Sequence, residues 1–342
     1  MKLLKIYALS TKKLKVDLSL SENPLGCSPA SLVAIKNKFD TISTYPDPNC
    51  SKLKKAISQK LKISQEKIIL GNGSESLIDL VCSAILKPGD EVILPQTTFP
   101  LFERSILFAC GKPVFAKMEK NLGINLKALK EKVSLGTRLV ILCNPNNPTG
   151  QTLSRSKIIK FVKSVSSLPV LVDEANIEFG GESVIDQVTN LPNLLVLRTF
   201  SKGFGLAGLR IGFLVGPEKI IKKIRKIQQP FAVNTLAQEA ALAVFTDQKF
   251  ITKSGKFMDN QRQFLTKELT KRGFKVFPSE SNNILVKTDR PSLARFLEKN
   301  GVSVIRGEFF RGLDNRFFRL SPRLPETNKK FLKIIDKFLK KS

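Results

Sequence analysis

Arg198-Thr199-Phe200-Ser201-Lys202-Gly203-Phe204-Gly205-Leu206-Ala207-Gly208-Leu209-Arg210 decides between two kinds of α/β protein. It contains Gly203-x-Gly205-x-x-Gly208, formally the spacing of a dinucleotide-binding loop. Such a loop needs an acid about 20 residues further on to hold a ribose. Gln228 and Gln229 occupy that stretch here, and Lys202 stands immediately before the glycines. The nucleotide reading is therefore rejected. A lysine flanked by small residues between two apolar runs leaves room for an aldehyde-bearing ring, as a Schiff-base lysine requires. Taken alone, Lys202 is one of 57 basic residues and reads as an ordinary surface lysine, so its neighbours carry the weight. Ser201, Thr199 and Arg210 can supply hydroxyls and a bidentate guanidinium to a phosphate.

On either side of this segment short β-rich runs alternate with helical stretches: 67–70, 91–94, 138–143, 170–173, 194–198 and 211–215. Alternation of this kind predicts an α/β fold, a parallel or mostly parallel sheet covered by helices on both faces. Residues 1 to about 26 read as an arm ending in the turn-rich run Glu22-Asn23-Pro24-Leu25-Gly26. A helical stretch over about 236–272 leads to a smaller α+β unit. Its expected strands are 274–277, 284–287, 302–306 and 316–320, closed by an amphipathic helix over about 326–340. The expected division is 1–44 as N-terminal arm and part of the small domain, 45–240 as the large domain and 241–342 as the small C-terminal domain.

Three further clusters lie at the ends of expected large-domain strands, where open α/β sheets place ligands. Gly71-Asn72-Gly73-Ser74-Glu75-Ser76 leaves free N–H groups at a helix start, an anion site or simply a turn. Asn144-Pro145-Asn146-Asn147-Pro148-Thr149-Gly150 is a double turn that two prolines stiffen, and it can aim the Asn147 amide inward. Val172-Asp173-Glu174-Ala175-Asn176 ends an apolar strand in an acid, by itself a helix cap or a salt-bridge partner as readily as a catalytic group.

Composition narrows the chemistry further. The chain of 342 residues has no histidine, which removes Ser-His-Asp and Cys-His catalysis and every His-ligated metal. No metal site is expected. Five cysteines, Cys27, Cys50, Cys82, Cys110 and Cys143, form no C-x-x-C pair and read as reduced thiols. The net charge of +28 favours encounters with small anions. The lysines form no block and do not interleave with aromatics, so no nucleic-acid partner is expected. Apolar runs such as 80–86 are too short to span a membrane, and Lys5 breaks the N-terminal run, so neither a membrane nor a secretory route is expected and the chain reads as cytoplasmic.

The ordered set Gly71-Asn72-Gly73-Ser74, Asn144 to Gly150, Asp173-Glu174-Ala175 and Arg198 to Arg210 resembles the fold-type I pyridoxal-phosphate aminotransferases, and within them the histidinol-phosphate aminotransferase group. Asn23 to Pro29, Tyr45-Pro46-Asp47 and Phe231-x-Val233-Asn234-x-Leu236-Ala237-Gln238 match the same group, so the resemblance runs over nearly the whole chain. It implies pyridoxal 5'-phosphate as cofactor, with Lys202 as Schiff-base lysine and proton carrier and Asp173 facing the pyridine nitrogen. Asn147 would donate to the ring phenolic oxygen, and Phe99 would stack on the ring. Ser74, Glu75, Thr199, Ser201 and Arg210 would hold the phosphate, with Tyr45 arriving from the neighbouring subunit of a homodimer. The family usually has tyrosine where this chain has Asn176, a shorter donor to the phenolic oxygen. Asn23, Arg306 and Arg319 are the residues implied for substrate, Arg306 and Arg319 gripping a phosphate. A strand-borne arginine can equally be a solvated edge charge.

The implied reaction moves an amino group between a phosphorylated amine, histidinol phosphate, and a 2-oxo acid, 2-oxoglutarate, in histidine biosynthesis. Threonine-phosphate decarboxylase and aromatic amino acid aminotransferase share the same cofactor machinery. From another class, a regulator that binds the cofactor without catalysis would also keep these motifs.

Overall fold

The computed structural model describes residues 16–340. The first fifteen residues of the expected arm, Lys5 and Tyr7 among them, lie outside the described residues, as do 341 and 342. Thirteen strands form three sheets among the described residues: β1 (Val16–Asp17), β2 (Ile68–Gly71), β3 (Glu91–Pro95), β4 (Lys112–Ala116), β5 (Thr137–Cys143), β6 (Val170–Asp173), β7 (Leu194–Thr199), β8 (Gly212–Val215), β9 (Lys275–Val276), β10 (Ile284–Lys287), β11 (Val302–Ser303), β12 (Ile305–Arg306) and β13 (Phe317–Leu320).

The large sheet has the order β2-β8-β7-β6-β5-β3-β4. All its pairs are parallel except those of β8, which runs antiparallel to both β2 and β7. The chain is therefore α/β with a mostly parallel sheet, as the alternating pattern predicts. Side chains along a strand alternate faces, and here both faces are apolar because helices cover both. Val140, Leu142, Val170, Val172 and Val196 pack into one core, while Leu139, Ile141, Leu171, Leu195 and Leu197 pack into the other. A continuous apolar run with both registers buried is what fixes these strands in the middle of the sheet. The edge strand β4, Lys112-Pro113-Val114-Phe115-Ala116, is half exposed and carries a proline, so no run of buried residues marks it in the sequence.

The smaller sheet, β12-β13-β10-β9, is antiparallel and packs on a third core with the helices Leu293–Lys299 and Pro325–Leu339. Two expectations need correction here. The run 302–306 is not one strand. Val302 and Ser303 pair in parallel with Val16 and Asp17, whereas Ile305 and Arg306 join β13 in the other sheet. The helical stretch 236–272 is two helices, Thr235–Thr246 and Gln248–Lys271. Asp247 stops the first and caps the second, its Oδ1 accepting from Phe250 N at 3.0 Å. The second helix contributes Phe250 to a large-sheet core and Leu265 and Leu269 to the small-sheet core, and so ties the two together.

Candidate active site

A cavity of about 560 Å³ opens between the C-terminal ends of β5, β6 and β7 and the small sheet. Asp173 is the last residue of β6 and is 3% exposed. Its Oδ1 accepts from Ala175 N at 2.9 Å. Burial raises its carboxyl to about 7, and the neighbouring Glu174 adds to the rise, against the Ala175 N–H and the Lys202 charge, which lower it. Lys202 has the opposite shift. Burial lowers its amine to about 8, helped by the charges of Arg319 and Arg210 and opposed by Glu22 and Glu75. One cavity thus holds a carboxyl with raised and an amine with lowered proton affinity, the pairing expected where proton transfer is organised.

Strand alternation separates this chemistry from its support. Asp173 and Thr199 face the cavity, and their chain neighbours Glu174 and Arg198 turn away to form a buried network. There Arg198 donates to Glu174 at 2.8 Å and to Glu178 at 2.9 Å. Replacing a single partner of such a buried set leaves an uncompensated charge, so the network holds the ends of β6 and β7 in place.

The phosphate-type cradle lies at one end of the cavity. Ser74 and Glu75 are in the first turn of the helix Gly73–Ile85, whose cap residue Asn72 makes no side-chain capping bond. Thr199 Oγ1 donates to Ser201 Oγ at 3.0 Å, and Arg210 Nη1 approaches the same hydroxyl at 3.4 Å. Arg210 itself adopts φ +52°. A Cβ on Gly73 would come within 2.7 Å of Arg210 Nη2, and one on Gly212 within 3.0 Å of Ser74 N. Only glycine lets the guanidinium and the helix start converge in this way. The result is an anion cradle of one guanidinium, two hydroxyls and uncapped helix N–H groups.

Asn147 also lines the cavity. Its loop is held by Asn146, which donates to Thr97 O and Thr149 Oγ1, each at 3.0 Å, and by Asn144 Oδ1, which accepts from Leu153 N at 2.7 Å. Asn147 Oδ1 accepts from Arg319 Nη1 at 3.1 Å, which leaves the Nδ2 hydrogens for a ligand. Phe99 borders the cavity and meets Phe102 edge-on with centroids 5.5 Å apart. Asn176 also lines it, 5% exposed, with its Oδ1 buried and without a hydrogen bond among the described residues.

The opposite wall comes from the small sheet and the segment before it: Leu20, Ser21, Glu22, Asn283 and Arg319. Of these only Arg319 was singled out from the motifs. Glu22 sits in a run noted for its turn residues alone, and Asn283 in a stretch without any motif. Ser21 Oγ donates to Asn283 Oδ1 at 2.8 Å, while Asn283 Nδ2 is buried and unpartnered among the described residues. A buried donor without a partner is costly, and an anionic ligand group next to Arg319 would satisfy it.

Three residues singled out from the sequence do not line this cavity. Arg306 pairs with Arg319's strand but one position off: Ile305 lies opposite Arg319, which puts Arg306 on the other face of the sheet. There its guanidinium lies 5.1 Å from the Phe309 ring and 3.9 Å from Glu308, so it does not join Arg319. Asn23 is buried beneath the lysine loop, donating to Gly203 O at 3.0 Å and Ser254 Oγ at 2.9 Å. Tyr45 is 83% exposed and stacks on Phe231 at 4.7 Å. The glycines after Lys202 also serve a different purpose from the one expected. A Cβ on Gly203 would collide with Glu178, and one on Gly205 with the backbone of Gly26, so these two allow close packing rather than room for a ligand. Gly208 alone borders the open space.

The model of the family "Aminotransferase class I and II" matches residues 13–335. Histidinol-phosphate aminotransferase 2 of Carboxydothermus hydrogenoformans is 37% identical over 323 residues, covering 92% of this chain and 88% of that protein. Among solved structures, the histidinol-phosphate aminotransferase of Clostridium acetobutylicum superposes with a TM-score of 0.89 at 28% identity, covering 96% of this chain and 100% of that one. The histidinol-phosphate aminotransferase of Sinorhizobium meliloti, solved in complex with pyridoxal-5'-phosphate, superposes with a TM-score of 0.91 at 24% identity, covering 99% and 94%.

Proposed function

The chain belongs to the aminotransferase class I and II family, and from that premise we propose that it transfers an amino group between histidinol phosphate and 2-oxoglutarate, with glutamate as donor and pyridoxal 5'-phosphate as cofactor. The observation that carries this reading is the single cavity in which an anion cradle, the Asp173 carboxyl, the Lys202 amine and the Arg319 guanidinium are brought together. The residues fit the cofactor. The glycine-walled cradle suits its phosphate, and the Nδ2 hydrogens of Asn147 suit its phenolic oxygen.

When bound, the cofactor supplies an aldehyde for the amine and a ring that accepts electrons from the substrate Cα. Asp173 would hold the proton on the pyridine nitrogen, and the positive charge there would offset the burial that raises its carboxyl. Lys202 Nζ would move the proton from the substrate Cα, a task suited to an amine lowered to about 8. Phe99 would offer its ring face, and Ser74, Glu75, Thr199, Ser201 and Arg210 would fix the phosphate so that Lys202 lies against the reacting carbon. Arg319, with the unpartnered Asn283 Nδ2, would take the substrate anion without Arg306.

We also propose a homodimer in which Tyr45 reaches the neighbouring site. Leu32, Val33, Phe39, Ile42, Tyr45 and Phe231 are all large apolar or aromatic side chains left exposed, and a second copy would cover them. No helix among the described residues is long and apolar enough to cross a membrane. The five cysteines are all free, in keeping with a reducing cytoplasm as the proposed compartment.

The test is a panel of histidinol phosphate, threonine phosphate, phenylalanine and tyrosine offered to the holoenzyme, with keto product and carbon dioxide followed separately. Keto product from histidinol phosphate is expected. Carbon dioxide from threonine phosphate would reassign the chain to a decarboxylase, and a preference for phenylalanine would make it an aromatic aminotransferase. Arg319→Ala should raise the KM for histidinol phosphate by about tenfold or more while cofactor occupancy is kept.

Asn176→Tyr probes the position where this chain departs from the family pattern. A phenol donating to the ionised phenolic oxygen stabilises that charge. The visible absorbance band of the holoenzyme should then titrate at lower pH, with turnover preserved or raised. An identical titration in the two proteins would mean that position 176 does not touch the cofactor.

A further inference from the structure

Among the described residues three carboxylates border the cavity, and the reaction described above leaves one of them idle. Asp173 lies on the floor, and Glu75 opens a helix beside the anion cradle. Glu22 stands on the opposite wall with Ser21, Asn283 and Arg319, its side chain 47% exposed. Arg323 Nη2 donates to Glu22 Oε2 at 2.9 Å, and Arg323 Nε is anchored on Asp17 O at 2.9 Å. One oxygen is thus pinned from behind. The other, Oε1, makes no hydrogen bond among the described residues and is left for a ligand. The charge also reaches the reacting centre, since Glu22 holds the Lys202 amine up against burial and the nearby guanidiniums.

The same wall therefore offers a guanidinium and a carboxylate to whatever the Lys202 end of the cavity holds by its amine. A substrate with an anionic branch on its amine-bearing carbon satisfies Arg319. Its second branch then meets Glu22, where a nitrogen donor is welcome and a second anion is repelled. We infer that Glu22 is a specificity-determining residue, accepting a hydrogen bond from the nitrogen heterocycle on the substrate's second branch and disfavouring substrates with a carboxylate there. This rests on the histidinol phosphate reading, in which that heterocycle is an imidazole. It deepens the reading by naming the group that separates the two substrates sharing the site: histidinol phosphate has a ring N–H at this end, and glutamate a carboxylate.

The experiment measures single-turnover kcat/KM of the holoenzyme for each half-reaction in the wild type and in Glu22→Gln. The substitution preserves shape and leaves an oxygen for Arg323. Loss of a charge-assisted hydrogen bond should lower the efficiency with histidinol phosphate about tenfold or more. Loss of repulsion should raise that with glutamate by a few-fold, on the order of twofold to fivefold. The phenyl analogue of histidinol phosphate, which has no ring nitrogen, should lose less than twofold. A fall of similar size in all three substrates would overturn the inference, because Glu22 would then act through Lys202 or through the fold. So would histidinol phosphate efficiency that the substitution leaves unchanged. Inactivity of the wild type on histidinol phosphate would bring down the underlying reading and the inference together, whereas the other two results remove the inference alone.

Discussion

Lys202→Ala is expected to lower transamination by about a thousandfold or more, since one amine would both anchor the cofactor and carry the proton. The amine cannot be replaced from nearby. Among the described residues, the other polar groups lining the cavity are carboxylates, amides, hydroxyls, a buried thiol and two guanidiniums, none of which is a neutral nitrogen base at pH 7. Cys143 borders the cavity, but burial and the Asp173 charge push its thiol well up, so it offers no thiolate. The fold should survive, because Lys202 lies on a loop whose shape is set elsewhere, by Asn23 on Gly203 O and by Gly205 N donating to Lys202 O at 2.9 Å. Measurement of turnover alongside a thermal melt separates the two. Residual activity within tenfold of the wild type would remove Lys202 from the mechanism.

Asp173→Asn should cost about a hundredfold or more in turnover, with a smaller loss of cofactor occupancy. The carboxyl is buried at the end of β6, and among the described residues the Ala175 N–H and the Lys202 charge offset that burial only in part, so a further cation is needed to hold it charged. A protonated pyridine nitrogen would be that cation, and an amide cannot hold its proton. The sign of the effect on stability can be read as well. The carboxyl is raised to about 7 in the folded chain against an unfolded value near 3.8, so the unfolded chain releases its proton first. The cofactor-free wild type should therefore lose stability as pH rises from about 4 to about 7, and Asp173→Asn should lose less, keeping only the share of Glu178, whose buried carboxyl is also raised to about 7. Urea titrations of the two apoproteins at pH 5 and pH 8 give the comparison. Parallel pH dependence would mean that Asp173 is charged at no cost in the empty cavity.

Residue pattern alone determined a good part of this molecule. The apolar runs at 139–143, 170–172 and 194–197 could only be strands covered on both faces, because both alternating sets of side chains are hydrophobic and both had to be buried. The absence of histidine left catalysis to lysine, aspartate, tyrosine or a cofactor. Each motif that marked the cavity from the large-domain side sits where a strand ends or a helix begins, and such positions follow from local chain order. What only the tertiary structure decided lies across the cavity, where residues meet from segments hundreds of positions apart. Glu22, held by Arg323, and Asn283, held by Ser21, have no local signal, since each is an ordinary polar residue until the arm folds against the small sheet. Arg306 and Arg319 were indistinguishable as strand arginines. The register Ile305 to Arg319 places one beside Asn147 and turns the other to the opposite face, a choice set by which core each strand had to fill. The spacing of Gly203 and Gly205 likewise named a loop, but its cause, the close approach of Glu178 and of the Gly26 backbone, exists only once distant parts of the chain have packed together.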